Sequence, residues 1–212
     1  MKAEVSAAMD NFVNRLKSIT RYIGDDNGQM AELLANRYGS MEYLAKADVV
    51  SLTTYGGISR SSALYLRLIF AAAKRMKTEF FIPGKRYNME ETLNYVSALF
   101  LDTPIETAYA IIFDDSERYI ATVNVGEGRL NESEILPGKI YDKMIEHGGT
   151  RVILAHNHPL GNQTASAEDL KATFALGATL KQLGKQLIAH YLVTDTGVIE
   201  IPAIPTESIG EK

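Results

Sequence analysis

The chain has 212 residues, 46% of them hydrophobic, and a formal net charge of −4 at pH 7, enough apolar side chain to bury a core in one large domain or two small ones. It has no cysteine, which excludes disulfides, thiolate metal sites and a cysteine nucleophile, so any metal is held by nitrogen and oxygen ligands alone. No apolar run approaches the roughly 18–20 uncharged residues of a membrane span, and Asp10 and Arg15 follow Met1 too closely for a secretory signal; the expectation is a cytoplasmic protein with no membrane partner.

Phe12, Leu16, Ile19 and Ile23 recur at helical spacing, and Leu33, Leu34 and Tyr38 continue the pattern after the Asp25-Asp26-Asn27-Gly28 break. A longer helix is predicted from Ser59 to about Lys77. Its apolar positions Leu64, Leu66, Leu68, Ile69 and Ala71 to Ala73 are nearly continuous, as in the central helix of a small bundle. Gly56-Gly57 followed by Arg60 reads either as a plain helix-helix turn or as a cradle for a phosphate at the start of that helix. Phe81-Ile82-Pro83-Gly84-Lys85 stops the helical pattern. The expected organisation is a helical domain over 1–80 and a second domain over 88–203, with a loose tail over the last eight or so residues. Charge divides the same way, +5 over residues 1–87 and −9 over 88–212. That suggests modules with different partners, although +5 is too modest to establish nucleic-acid binding.

From about Met89 the pattern becomes mixed α/β. A helix covers Glu90 to Leu101; Glu106 to Phe113 and Arg118 to Val125 read as strands of a hairpin turning at Asp114-Asp115-Ser116-Glu117. Pro137 opens a helix carrying Ile140, Tyr141, Met144 and Ile145 on one face and ending at His147-Gly148-Gly149. Arg151 to Ala155 is a short buried strand, a helix runs from Ser166 to Leu183, and strands around Leu187 to Thr194 and Val198 to Ile201 flank an Asp195-Thr196-Gly197 turn.

His156-Asn157-His158 follows the strand Arg151 to Ala155 directly. Alternate residues of extended backbone point to one side, so histidines at i and i+2 can reach one ion. Seven residues lie between His158 and Ser166, and Asp169 comes three later in the first turn of the next helix, where it supplies an oxygen ligand. Three protein ligands and an open position describe a catalytic zinc rather than a closed structural one. Ser166-Ala167-Glu168-Asp169 is also a helix capping box, and capping would orient Asp169. Asn157 either holds the loop by hydrogen bonds or faces substrate. His190 reads as a packed or hydrogen-bonded histidine rather than a fourth ligand, and His147 as a helix C-terminal cap.

Taken together, Glu106, His156-Asn157-His158, the seven-residue spacing to Ser166, and Asp169 resemble the JAMM signature of the MPN+ metalloproteases, and within them the bacterial RadC group. His156-Asn157-His158-Pro159 resembles that group's loop, and Tyr38-Gly39-Ser40-Met41-Glu42-Tyr43-Leu44 the helical region preceding its catalytic domain. The resemblance implies a small N-terminal helical bundle, helix-hairpin-helix-like, followed by a JAMM/MPN+ mixed β-sheet flanked by helices, of cytidine-deaminase-like α/β class. It implies Zn2+ ligands at His156, His158 and Asp169, the general base at Glu106, oxyanion support from Ser166, and a peptide or protein substrate cleaved at an amide or isopeptide bond. By spacing alone Glu106 is not distinguished from Glu117 and Glu127 on the same hairpin. A second reading is a DNA-repair-associated protein that binds DNA through the helical domain, with the metal domain accessory. A third is an interaction scaffold, which has no chemical need for the full ligand set.

Overall fold

The computed structural model describes residues 2–128, 137–159 and 163–202, with the side chains of the first helix described from residue 9 onward. The expected tail and the domain end at 203 lie outside the described residues. The chain divides into two compact units, Met1–Met76 and Lys77–Lys212.

In the first unit, helix α1 (Lys2–Thr20) leads through a single 3-10 turn at Arg21–Ile23 to α2 (Gln29–Tyr38), α3 (Met41–Lys46), α4 (Val49–Thr54) and α5, which starts at Arg60 and ends at Thr78. Leu16, Leu34, Leu44, Leu52, Leu66 and Phe70 form its core. The N-cap of α2 is Gly28, which has no side chain to offer its first N–H groups. Asp25 supplies it instead: its carboxylate accepts from Met30 N at 2.9 Å, Ala31 N at 3.0 Å and Thr20 Oγ1 at 2.8 Å. Ser40 and Asp48 cap α3 and α4 from their own N-cap positions. Helix α5 buries a single stripe, Ser62, Ala63, Leu66 and Phe70, and Leu64 and Leu68 are exposed. The nearly continuous apolar run therefore does not mark a helix buried all round; neighbouring positions of a helix point about 100° apart, and one face suffices for this small core.

The second unit opens with α6 (Met89–Leu99), closed at its start by a reciprocal capping box between Asn88 and Glu91. A five-stranded sheet follows, built from β1 (Thr107–Phe113), β2 (Tyr119–Glu127), β3 (Arg151–Asn157), β4 (Gln186–Thr194) and β5 (Gly197–Ile201). Strand order is β2-β1-β3-β4-β5. Every neighbouring pair is antiparallel except β3 with β4, which are parallel. A parallel pair needs a crossover, and α8 (Ala167–Gln182) provides it; α7 (Pro137–Glu146) precedes β3. The β1–β2 turn is held by the Asp114 carboxylate, which accepts from Ser116 N at 2.9 Å and Arg118 N at 2.8 Å.

Alternation along the strands divides the core between two faces. Ile111, Phe113, Ile153, Ala155 and Tyr191 pack with Tyr95, Val96 and Leu99 of α6. Ala108, Ala110, Ile112, Val152 and Leu154 pack with Ile140 and Met144 of α7 and Leu176 and Leu180 of α8. His156 and His190 continue the second series, so both imidazoles lie on the α7–α8 face. This is the expected helical region followed by a mixed α/β sheet flanked by helices. Among the described residues no helix is long and apolar enough to cross a membrane.

Candidate metal centre

Strand β3 runs two residues beyond the predicted end, so His156 and Asn157 belong to the strand itself and are almost completely buried, at 1% and 2% exposure. Hydrogen bonding explains the extension. The ladder to β1 continues to the pair Ala108–His156, and that to β4 as far as Asn157–Val193; His158 N then donates to Val193 O at 3.2 Å. The segment thus leaves the sheet only after both histidines have been aimed, at the carboxyl end of β3 beside the start of α8.

The start of α8 brings the third group. Ser166 is its N-cap, and the box is complete: Asp169 N donates to Ser166 Oγ at 3.1 Å, and Ser166 N donates to Asp169 Oδ2 at 2.7 Å. Ser166 Oγ also donates to Oδ2 at 2.7 Å. The capping and orienting roles therefore coexist, because the bonds that close the helix also fix the rotation of the Asp169 carboxylate. Its other oxygen, Oδ1, stands 3.1 Å from His156 Nε2, and Oδ2 stands 3.6 Å from His158 Nε2. Burial pushes the Asp169 carboxyl up, but the adjacent His156 ring and the bonds from Ser166 outweigh it and hold the group well below the ordinary carboxylate range.

Among the described residues, His156, His158 and Asp169 form a group whose ligand atoms all lie within 4.8 Å of one another. One observation separates this cluster from an ordinary polar contact. His156 Nε2 is buried and has no hydrogen-bond partner, although a carboxylate oxygen lies 3.1 Å away: the distance allows a hydrogen bond but the directions do not. Two ligand atoms bound at about 2.0–2.2 Å to one tetrahedral ion stand roughly 3.3–3.6 Å apart. The separations, 3.1 Å to one Asp169 oxygen and 3.6 Å to the other, lie just below that range and at its upper end, so the three side chains surround a common centre, and buried polar atoms are rarely left unpaired without such a reason.

Behind His156 lies a chain of polar groups. Its Nδ1 is 2.8 Å from His190 Nε2, His190 Nδ1 is 2.6 Å from Thr173 Oγ1, and Thr173 Oγ1 donates to the backbone carbonyl of Asp169 at 2.6 Å. Complete burial, and then the neighbouring His156, hold the His190 imidazole well below the usual histidine range. The expectation that His190 is hydrogen-bonded rather than a fourth ligand agrees with this geometry. Thr173 was not singled out in the sequence, though a signal existed: it stands one helical turn after Asp169 on the same face.

Asn157 holds the loop. Its Oδ1 accepts from Thr107 N at 2.8 Å, and its Nδ2 donates to Ile105 O at 3.2 Å and Thr103 O at 3.3 Å. Those bonds bracket Glu106, which is half-buried and stands two residues before Ala108, the register partner of His156. Glu106 itself stands one residue before β1, on the backbone that leads into the strand paired with His156. The two other glutamates of the hairpin have partners of their own: Glu117 pairs with Arg151, and Glu127 accepts from Asn124 Nδ2 at 2.7 Å. A cavity of about 640 Å3 lined by Phe81, Tyr87, Tyr95, Lys85 and Arg86 belongs to the α6 side of the unit and shares no residue with the cluster.

A family model described as RadC-like JAB domain matches residues 87–201. The chain is also similar to UPF0758 proteins of several bacteria. It is 25% identical to one of Syntrophotalea carbinolica over 170 residues, covering 80% of this chain and 75% of that protein. Identity is 29% over 177 residues with one of Fusobacterium nucleatum, covering 80% and 76%, and 27% over 168 residues with one of Geobacter sulfurreducens, covering 78% and 73%. The region matched by the family model is the α/β unit just described and exceeds half of the chain, and on that basis the chain belongs to the RadC family, its second unit a RadC-like JAB domain.

Proposed function

We propose that the chain is a zinc-dependent hydrolase of peptide or isopeptide bonds, with His156, His158 and Asp169 holding the ion and Glu106 moving the proton. The observation that carries this reading is the buried, unpartnered Nε2 of His156 facing the Asp169 carboxylate. Two neutral nitrogens and one carboxylate suit zinc, though they also accommodate other divalent ions. A divalent ion held by these three side chains supplies Lewis acidity toward a carbonyl oxygen and toward water. Glu106, carried at the mouth of β1 two residues before the register partner of His156, takes a proton from the attacking water and returns it to the leaving nitrogen. Ser166 supports the developing oxyanion when its hydroxyl turns from Asp169 toward substrate. The fixed carboxylate and the clamped Glu106 loop mean that little reorganisation accompanies the reaction.

The test begins with elemental analysis of protein purified without added metal, beside His156→Ala and Asp169→Ala. About one zinc per chain, lost in both variants, supports the reading; a native protein that retains no metal even after zinc supplementation removes it. A peptide and isopeptide library then supplies a substrate for Glu106→Gln, expected to keep its zinc and lose turnover.

A second reading, DNA binding by the helical unit, draws support from the α4–α5 hairpin. A Cβ at Gly56 would lie 2.5 Å from the Leu52 carbonyl oxygen, and Gly57 has φ +67°, so the turn requires glycine at both positions. It presents the start of α5 with exposed Arg60 beside it, an arrangement suited to a phosphate. Salt-dependent DNA affinity that falls in Arg60→Gln supports this reading, and no binding at low salt disposes of it.

A further inference from the structure

We infer that Thr173 and His190 are positioning residues that set the tautomer of His156, leaving its Nε2 as a bare lone pair for a metal ion. The inference rests on the metal reading of the His156–His158–Asp169 cluster and follows from counting hydrogens along the chain behind it.

The count starts at the Asp169 backbone carbonyl, which has no proton to give. The 2.6 Å contact from Thr173 Oγ1 to that oxygen therefore uses the single hydroxyl hydrogen of Thr173. With that hydrogen committed, Thr173 Oγ1 can only accept at its second contact, so His190 Nδ1, 2.6 Å away, carries a proton. His190 is fully buried, and among the described residues its two ring nitrogens bond to the Thr173 hydroxyl and the His156 ring. Neither contact is to an anion that would compensate a buried charge, so His190 is the neutral imidazole with one N–H. Its Nε2 is then an acceptor, and the 2.8 Å contact places a proton on His156 Nδ1. When neutral, His156 has no second N–H, and Nε2 is bare.

The chain begins and ends on the same residue. The Asp169 backbone carbonyl sets the direction of the relay, and the bare nitrogen at its far end faces the Asp169 side chain at 3.1 Å. Two lone-pair atoms at that distance in a buried place repel each other unless a proton or a metal ion lies between them, and it is that proton a metal ion displaces on binding. Reversal of one proton in the relay would put a hydrogen on Nε2 and block the ligand. Outer hydrogen bonds of this kind orient ligand histidines and raise their basicity, and here the last link is a threonine whose hydroxyl bonds to a backbone carbonyl and to His190.

Two readouts on the full-length protein test this. The first is 15N–1H NMR of the histidine rings in metal-free protein. Protons on Nδ1 of both His156 and His190, with Nε2 of His190 bare, are expected; a proton on Nε2 of His190 overturns the inference. The second is competition titration with zinc of Thr173→Val, which keeps the side-chain shape but neither accepts nor donates, and of Thr173→Ser, which restores the hydroxyl. Thr173→Val should let His190 move its proton to Nε2 and lower zinc affinity roughly 10- to 100-fold, while Thr173→Ser returns both tautomer and affinity to the native values. Native tautomer and native affinity in a folded Thr173→Val protein overturn the inference. Should Thr173→Val not fold, His190→Gln, whose amide can accept from His156 and donate to Thr173, is compared with His190→Leu; equal zinc affinity of these two overturns it as well. A native protein that binds no zinc but shows the expected tautomers refutes the metal reading alone.

Discussion

The Asn157 carboxamide oxygen accepts the Thr107 backbone N–H at 2.8 Å, tying the first residue of β1 to the last residue of β3 where the ladder between the strands has already stopped at Ala108–His156. The same side chain donates to Ile105 O and Thr103 O. The residue between the two histidines therefore fixes the approach of the backbone that carries Glu106. Asn157→Ala leaves the buried Thr107 N–H unpaired, a cost of about 1–3 kcal/mol. The expected outcome is a lower melting temperature with zinc stoichiometry retained, since His156 keeps its strand and His158 its backbone bond to Val193 O, and a turnover loss larger than the stability loss explains. Asn157→Asp should do no better, because it sets a carboxylate against two carbonyl oxygens. A native melting temperature in both variants would show that the clamp carries no weight.

This clamp also marks what the sequence could and could not convey. The mixed α/β order, the helix that starts at Ser166 and the triad of possible ligands were legible because they rest on local signals: the short apolar run Arg151 to Ala155, the i, i+2 spacing of His156 and His158, and the capping pattern at Ser166. The partners of Asn157, His190 and Thr173 were not, since each lies 50, 34 or 17 residues away, and no periodicity encodes which side chains a sheet will bring together. The run from Leu64 to Ala73 misled for a related reason: composition does not say which of several apolar stripes the core will take.

Asp25 makes a pH-dependent contribution to the helical unit. It is 6% exposed. Burial pushes its carboxyl up, but the N–H groups of Met30 and Ala31, the Thr20 hydroxyl and the nearby Lys17 hold it below the ordinary range. A carboxyl depressed in the folded state contributes stability that is fully present above its unfolded pKa, about 3.9, and that is lost as pH falls through the folded value. Urea unfolding followed between pH 5 and 2.5 should show the native protein losing stability on acidification, and Asp25→Asn should show a smaller slope. Equal slopes would place the acid-sensitive group elsewhere.

Metal removal should act on the α/β unit. An ion bound to the folded state alone stabilises it by mass action, roughly 2.7 kcal/mol at a hundred times its Kd. Chelation is therefore expected to lower the melting temperature of the native protein, with recovery on adding zinc in excess. The His156→Ala protein should not respond to either treatment. A response in that variant equal to the native one would assign the stabilising ion to another place.

Asp169 carries two roles that a single substitution can separate. As the third residue of the capping box it needs only a side-chain acceptor for Ser166 N, 2.7 Å away, and an asparagine oxygen can accept that bond. As a metal ligand it needs an anionic oxygen beside His156 and His158. Asp169→Asn should therefore keep the start of α8 while losing most of its zinc, whereas Asp169→Ala loses the ion and the reciprocal cap together, with a further destabilisation of about 0.5–2 kcal/mol. Amide hydrogen exchange over 166–173 reads the helix start, and elemental analysis reads the ion. If Asp169→Asn retains native zinc, the carboxylate is a cap and not a ligand; if it frays the helix as much as Asp169→Ala does, the acid's charge rather than its acceptor geometry holds the first turn.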